Sequence, residues 1–499
     1  MAPLEELTDL ACKVENMSLL AAVVVSLAFQ QAPDLTKLPE FVQSKRSIDY
    51  HGSRLSYTAT TGTLPIRDND QNEEVRMFYA AYTKDGADPT TRPIVFAFNG
   101  GPGSATLWLH MGSFGPRRAE LNPDGSMPAA PFKLVENQET WLNSADIVFV
   151  DAPGAGFSRL SKPDAAKKYY NVRGDAQAFT EFIRMYLNRN KRWQSPLFLA
   201  GESYGGMRIG VLSKTLLDNG IALNGVIIIS GTLNFASLDA ARGNDLPYIT
   251  YLPTYFATAY YHKKLSPRLM GDFNKSLAEV EAFANGEYAA ALHRGDALSQ
   301  VERENIASKV AEYAGLSKEF VMNCHLRVSD GRFYKELLRK EGKTVGRLDG
   351  RLTGTDALEI GDSPETDPSS DAITPAIVSC LNDYYSRELG YFTDQKYFVY
   401  KPGGGWEFGG GIPDTSEDFR ACLAQNPHMK VMICCGYTDM ACTYSGIRYT
   451  MDHSDLPAAA RNAIEWQYYM AGHMMYIDTP SRIKMAKDAE SFIKRATAH

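Results

Sequence analysis

An α/β fold, with a mostly parallel central sheet, helices on both faces and a largely helical lid insertion, is predicted by three observations. Short apolar runs at residues 92–98, 146–150, 196–200 and 226–229 alternate with helical stretches such as 175–187, the pattern of strands joined by crossover helices. Between about residues 234 and 375 the texture changes to charged and alanine-rich runs, for instance 275–293 and 300–313, broken by a polar loop at 361–371. A strand-like run then resumes at residue 430. The expected organisation is a candidate export signal over residues 1–33, a first part of the sheet core over 34–233, the lid insertion over 234–375 and a second part of the core over 376–499.

At the amino terminus, residues 18–29 (SLLAAVVVSLAF) have the length of a signal-peptide core and are too short for a comfortable membrane span. The preceding segment carries Glu5, Glu6, Asp9 and Glu15 against one cation, Lys13, a poor match to a basic leader. Export is the favoured reading; a start at Met17 and an amphipathic helix are the alternatives. Strand-like pieces at 54–61 and 75–82 follow within a leading extension.

Residues 92–98 (RPIVFAF) read as a strand that opens into Asn99-Gly100-Gly101-Pro102-Gly103-Ser104. Glycines let backbone amides turn into a pocket, so this loop has the composition of an oxyanion turn. A phosphate-cradling loop is excluded, because no Lys-Ser/Thr pair follows and the spacing is not GxGxxG.

The strand-like run 196–200 enters Gly201-Glu202-Ser203-Tyr204-Gly205-Gly206, a serine bracketed by glycines before a helical stretch. This is a nucleophile elbow: small neighbours allow a turn sharp enough to lift one hydroxyl off the sheet edge. Its amide partners for an oxyanion are those of Gly101 and Tyr204. A serine hydroxyl needs a base, and the base a third group to orient it.

In doubly wound hydrolases the chain order is serine, acid, histidine. Residues 430–439 form an apolar strand emptying into a glycine loop that ends on Asp439, where a helix N-cap is the competing reading. Three histidines follow it: His453 among capping residues, the terminal His499, and His473 in a glycine-preceded loop after the strand-like stretch 465–470. His473 is the expected base. A final amphipathic helix starts near Pro480. Aromatic residues in 248–261 suit core packing better than a pocket lining, and the glycine clusters around Trp406 read as a mobile surface loop.

Composition adds bounds. At 499 residues and 44% hydrophobic content the chain can bury one large core with an insertion, or two domains. Its net charge of -7 with no basic stripe excludes nucleic acid as a natural partner. Seven cysteines without paired CxxC spacing exclude a disulfide scaffold and a zinc cage, and Cys434 and Cys435 suit opposite faces of one strand.

The segments 99–103 (NGGPG), 151–158 (DAPGAGFS), 201–206 (GESYGG), 436–439 and 472–474 together resemble the serine carboxypeptidase family of the α/β-hydrolase fold, in a bacterial-type member. The resemblance implies Ser203, Asp439 and His473 as the triad and Gly101 with Tyr204 as the oxyanion hole. It also implies that Asn99, Gly100 and Glu202 bind the free α-carboxylate of a peptide, a pairing that requires a protonated carboxyl and favours acidic pH. Two departures stand out. Ser113 occupies the place where eukaryotic members carry a second glutamate, and Ser104 the place of a disulfide-bonded cysteine in many secreted relatives. The first loosens strict carboxyl-terminal selectivity. Cys442 matches a free cysteine near the site in some relatives.

The expected activity is therefore a serine carboxypeptidase-type peptidase acting through an acyl-enzyme on Ser203. An esterase or acyltransferase on the same scaffold, and a non-catalytic binding protein, are the alternatives. No metal or cofactor is required. The expected partner is a peptide with a free C-terminus, without a stable membrane span and with a homodimer allowed.

Overall fold

The computed structural model describes residues 36–403 and 405–498; the expected export segment and Cys12 lie outside them. Residues 36–38 and 392–395 belong to a small unit of their own, in which Gln395 Nε2 donates to the Thr36 carbonyl at 2.9 Å. The larger unit holds the central sheet.

Nine strands form its backbone: β1 (Phe41–Tyr50), β2 (Ser53–Arg67), β3 (Glu73–Lys84), β4 (Ile94–Phe98), β5 (Asp146–Val150), β6 (Leu197–Glu202), β7 (Gly225–Ile229), β8 (Lys430–Gly436) and β9 (Ile464–Tyr469). They lie in the order β1-β2-β3-β5-β4-β6-β7-β8-β9, with the short strand Arg159–Leu160 beside β3. Pairings from β1 to β5 are antiparallel. All those from β5 to β9 are parallel. The antiparallel leading strands thus extend the same sheet, longer than the pieces expected at 54–61 and 75–82.

Physical reasons for the inner strands are visible in their composition. Ile94–Phe98, Asp146–Val150 and Gly225–Ile229 are buried at every residue, as strands covered on both faces must be, and so read as unbroken apolar runs. Phe98 meets Phe179 of the helix Val172–Arg189 at 5.1 Å. Phe198, in register with Val95 and so on the opposite face from Phe96 and Phe98, meets Phe492 of the helix Thr479–Thr497 at 6.2 Å. Helices therefore cover both faces, and the fold is that of an α/β-hydrolase.

Between β7 and β8 the chain leaves the sheet for a series of helices that includes Leu246–Tyr261, Phe273–Phe283, Gln300–Ala314 and Asp330–Glu336. The helix expected over 275–293 is interrupted by a π turn at Ala284–Tyr288. Asn285 and Gly286, both poor helix formers and both exposed, sit at its centre. The extra residue keeps Phe283 and Tyr288 on the buried side, with rings stacked at 5.9 Å. Tyr251, Tyr255 and Phe256 are buried, and Tyr255 stacks on Phe333 at 4.0 Å, so the aromatic segment packs a core.

Candidate active site

The four loops singled out by sequence emerge from the carboxyl ends of parallel strands. Their ends are level: Phe98 is in register with Gly201, Glu202 with Ile229, Ile229 with Cys434, and Gly436 with Tyr469. Residues following these ends are consequently neighbours, the position where open parallel sheets bind ligands.

Ser203 holds φ at +63°, a left-handed conformation that a non-glycine residue adopts only when its surroundings impose it. What imposes it is close packing on both sides. A Cβ on Gly201 would lie 2.6 Å from the Gly205 carbonyl oxygen, and one on Gly206 2.7 Å from that of Thr232. The Ser203 amide is pinned to the Ile229 carbonyl at 3.0 Å. From Leu197 to Ser213, Ser203 is the one residue that is not buried.

Gly100 wedges the preceding loop against this turn. A Cβ there would fall 2.4 Å from Tyr204 N and 2.7 Å from Glu202 O, so only glycine allows the approach. Among the described residues neither the Gly101 nor the Tyr204 amide donates a hydrogen bond within the protein. Two free donors at one turn suit a developing oxyanion. Edge-on to the Tyr204 ring, at 5.4 Å, lies half-buried Trp406, so that residue of the glycine-flanked loop belongs to the packing around the site.

Asp439 and His473 meet. His473 Nδ1 and Asp439 Oδ2 are 2.9 Å apart, and both residues are buried. Asp439 Oδ1 accepts from the amides of Ala441 (2.8 Å) and Cys442 (2.9 Å), which fixes the carboxylate in place. Burial disfavours the imidazolium, but the charge and hydrogen bond of Asp439 outweigh it, and Glu202 adds to them, so His473 titrates above its ordinary value. His453, by contrast, is exposed at the end of the helix Tyr444–Asp452. The Ser203 hydroxyl stands against the Cys442 thiol, and no hydrogen bond joins it to His473 among the described residues. Burial drives that thiol above its ordinary value, which makes it inert until disturbed.

Glu202, 2% exposed, is held from two sides: Asn99 Nδ2 donates to Oε2, and the Tyr476 hydroxyl donates to Oε1 at 2.8 Å. Burial raises its pKa to about 7, against the opposing pull of His473, Tyr476 and Asn99. Asn99 is fixed in turn, its Oδ1 by the Leu109 amide (3.2 Å) and its carbonyl by Arg208 Nη1 (2.8 Å). Arg208 is fully buried on the Asp175 carboxylate at 2.7 Å and lies over the Phe179 ring.

Two contributions to the site were not read from sequence. Tyr476 supplies the second partner of Glu202. Its ring fits because position 112 is glycine: a Cβ there would lie 2.5 Å from Tyr476 Cε2. The other is the insertion segment 346–350. Leu348 O accepts from His473 N at 2.6 Å, Arg347 O from Met440 N at 3.1 Å, and Asp349 Oδ1 from the Thr438 hydroxyl at 2.9 Å. The insertion thus clamps the loops that carry His473 and Asp439.

Strand order, the strained serine turn and the histidine loop after the last strand define an α/β-hydrolase. The chain belongs to the serine carboxypeptidase family, whose model matches residues 53–340. Ser203 lies within that match, and Asp439 and His473 beyond it. Similar proteins include Serine carboxypeptidase-like 13 of Arabidopsis thaliana, 28% identical over 34% of this chain and 38% of that protein. Serine carboxypeptidase S10 family member 1 of Dictyostelium discoideum is 27% identical over 49% of this chain and 53% of its own length. The chain thus spans 38% and 53% of the length of these two relatives. The crystal structure of KEX1(delta)p, a prohormone-processing carboxypeptidase from Saccharomyces cerevisiae, aligns over 87% of this chain and 92% of that one at 16% identity and a TM-score of 0.49.

Proposed function

We propose that the protein is a serine-type carboxypeptidase that hydrolyses peptide bonds near a free C-terminus through an acyl-enzyme on Ser203. The observation that carries this reading is an unburied serine on a +63° turn, beside a buried His473–Asp439 pair and a glycine wedge with two free amides. In the proposed reaction Ser203 Oγ attacks the scissile carbonyl while His473 Nε2 takes its proton and later delivers it to the leaving amine. Asp439 holds Nδ1–H and stabilises the imidazolium. The Gly101 and Tyr204 amides bind the oxyanion, and water then releases the acyl group. A shift of the Ser203 hydroxyl from Cys442 toward His473 precedes attack, since such hydrogen bonds often tighten only with substrate bound.

Asn99, Gly100 and Glu202 are proposed to receive the substrate's α-carboxylate, with Glu202 donating its proton. Residues 234–375 act as the lid, and the stretch at 18–29 exports the protein; no helix among the described residues is long and apolar enough to cross a membrane. A second reading, an esterase or acyltransferase, is favoured by Ser113, which leaves Glu202 without a carboxyl partner. One comparison separates them: hydrolysis of an N-blocked dipeptide against its carboxyl-amidated twin. A carboxypeptidase prefers the free acid, and equal rates on both defeat the assignment. Labelling by a fluorophosphonate, lost in Ser203→Ala, tests the nucleophile, and an unlabelled wild type favours a binding protein.

A further inference from the structure

Arg208 is a cation where the fold has little use for one. It stands one turn into the helix Gly205–Asp218 that follows the elbow, the end at which the helix dipole disfavours positive charge, and it is fully buried. An apolar side chain would fill the same space, and a buried ion pair is weak ground for stability. What an apolar side chain could not supply is a set of donors aimed in two directions. Nε and Nη2 donate to the two carboxylate oxygens of Asp175 at 2.7 and 3.3 Å, which leaves Nη1 to donate to the Asn99 carbonyl at 2.8 Å. Asp175 itself lies in the first turn of the helix Val172–Arg189, the end that suits a carboxylate.

The guanidinium touches both halves of the oxyanion turn. Side chains on a helix lean toward its N-terminus, so Arg208 turns back over Tyr204, and its guanidinium lies 5.5 Å from the centre of that ring. The rings of Phe98 and Phe179 complete its surroundings at 5.0 and 4.4 Å. Tyr204 carries one of the two free amides on its own backbone. The Asn99–Gly100 peptide that Arg208 grips directly precedes the peptide that bears the other, Gly101 N. Contact between Gly100 and the Tyr204 backbone keeps the loop from moving closer to the elbow. The Nη1 bond keeps it from moving away.

We propose that Arg208 is a positioning residue that tethers the oxyanion loop to the helix behind the nucleophile and so sets the spacing of the Gly101 and Tyr204 amides. This rests on the acyl-enzyme reading above, in which those amides bind the oxyanion, and is independent of whether the substrate is a peptide or an ester. Arginine is required for its shape as much as its charge: a planar fork can hold Asp175 and Asn99 at once, and a lysine ammonium on a flexible stem cannot.

The test is the saturation kinetics of Ser203 labelling by a fluorophosphonate, whose phosphoryl oxygen uses the same two amides as it gains charge. It compares the full chain with Arg208→Lys and with the paired change Arg208→Met, Asp175→Leu, which removes both charges together and leaves no buried ion alone. In the paired variant the maximal labelling rate falls by at least about tenfold, the scale of a misplaced oxyanion donor. The half-saturating concentration, the final amount of label per chain and the circular dichroism stay at their wild-type values. Arg208→Lys, which keeps the charge without the fork, also slows, and by less. A folded paired variant that labels at the wild-type maximal rate overturns the proposal while leaving the hydrolase reading intact. So does a loss of labelled chains at an unchanged rate, which would make Arg208 a stabilising residue alone. Should the paired variant not fold, the same criteria apply to Arg208→Lys. A folded wild type that takes no label overturns both readings together.

Discussion

In the proposed reaction Glu202, a buried carboxyl with a pKa near 7, has to stay protonated to meet a substrate carboxylate, while His473, shifted upward by Asp439, has to be neutral to accept a proton. Activity on free-acid peptides therefore rises with pH as the imidazolium disappears and falls as Glu202 ionises. The two groups interact, so the limbs of the profile belong to the pair. A bell centred near neutrality is expected, less acid than the resemblance alone implies. On carboxyl-amidated peptides or esters the alkaline limb disappears, as it does in Glu202→Gln on any substrate. Because the Tyr476 hydrogen bond favours the ionised form, Tyr476→Phe moves the alkaline limb upward. A limb that stays in place in both variants, measured as kcat/KM against pH, rules Glu202 out as its source. The same residue carries a stability cost. A carboxyl whose folded pKa lies above its unfolded value of 4.5 contributes stability that is complete below pH 4.5 and is lost as pH rises through about 7. That loss amounts to about 3 kcal/mol for a fully buried group. Glu202→Gln is thus expected to unfold at higher denaturant than the wild type at pH 8, with the gap closing at pH 4.

Strands and turns decide which parts of the site are set by local chemistry. Gly100→Ala pushes a methyl into the backbone at Tyr204 and Glu202, separating the two amides of the oxyanion turn. A fall in kcat of about 10² to 10³, the loss of one such donor, with KM changed far less, is the expected result in steady-state kinetics. These turns were legible because each is a short apolar strand followed by glycine, a signature carried within one segment: residues 94–100, 197–206 and 430–439 needed no partner to be read. Tyr476 was not legible, since its role depends on Gly112 standing opposite, 364 positions earlier in the chain. The only local hint was a large phenol in an otherwise apolar run directly after the histidine. The break at Ala284–Tyr288 escaped for the converse reason: alanine and charge patterning run through it, and Asn285-Gly286 was outweighed by its neighbours.

Across the whole molecule, one arginine ties the insertion to both the histidine loop and the final helix. Arg351 pairs with Asp349 at 2.7 Å and with Asp478, the cap of the helix Thr479–Thr497, at 2.9 Å, and donates to the Met470 carbonyl at 2.8 Å. All three carboxylate and guanidinium groups are less than a tenth exposed. Replacing it by methionine leaves two buried carboxylates without their cation, a change expected to cost about 3–5 kcal/mol in denaturant unfolding. Under the proposed mechanism, loosening the loop that carries His473 also displaces the base from Ser203. Fluorophosphonate labelling of the folded variant should then slow by at least about tenfold, the effect of a small misplacement of a reacting group. If labelling of the folded fraction keeps the wild-type rate while stability falls, Arg351 stabilises the fold without positioning His473. If both fall together, the insertion acts as a brace that holds the base against the elbow, and the lid and the proton-transfer pair form one mechanical unit.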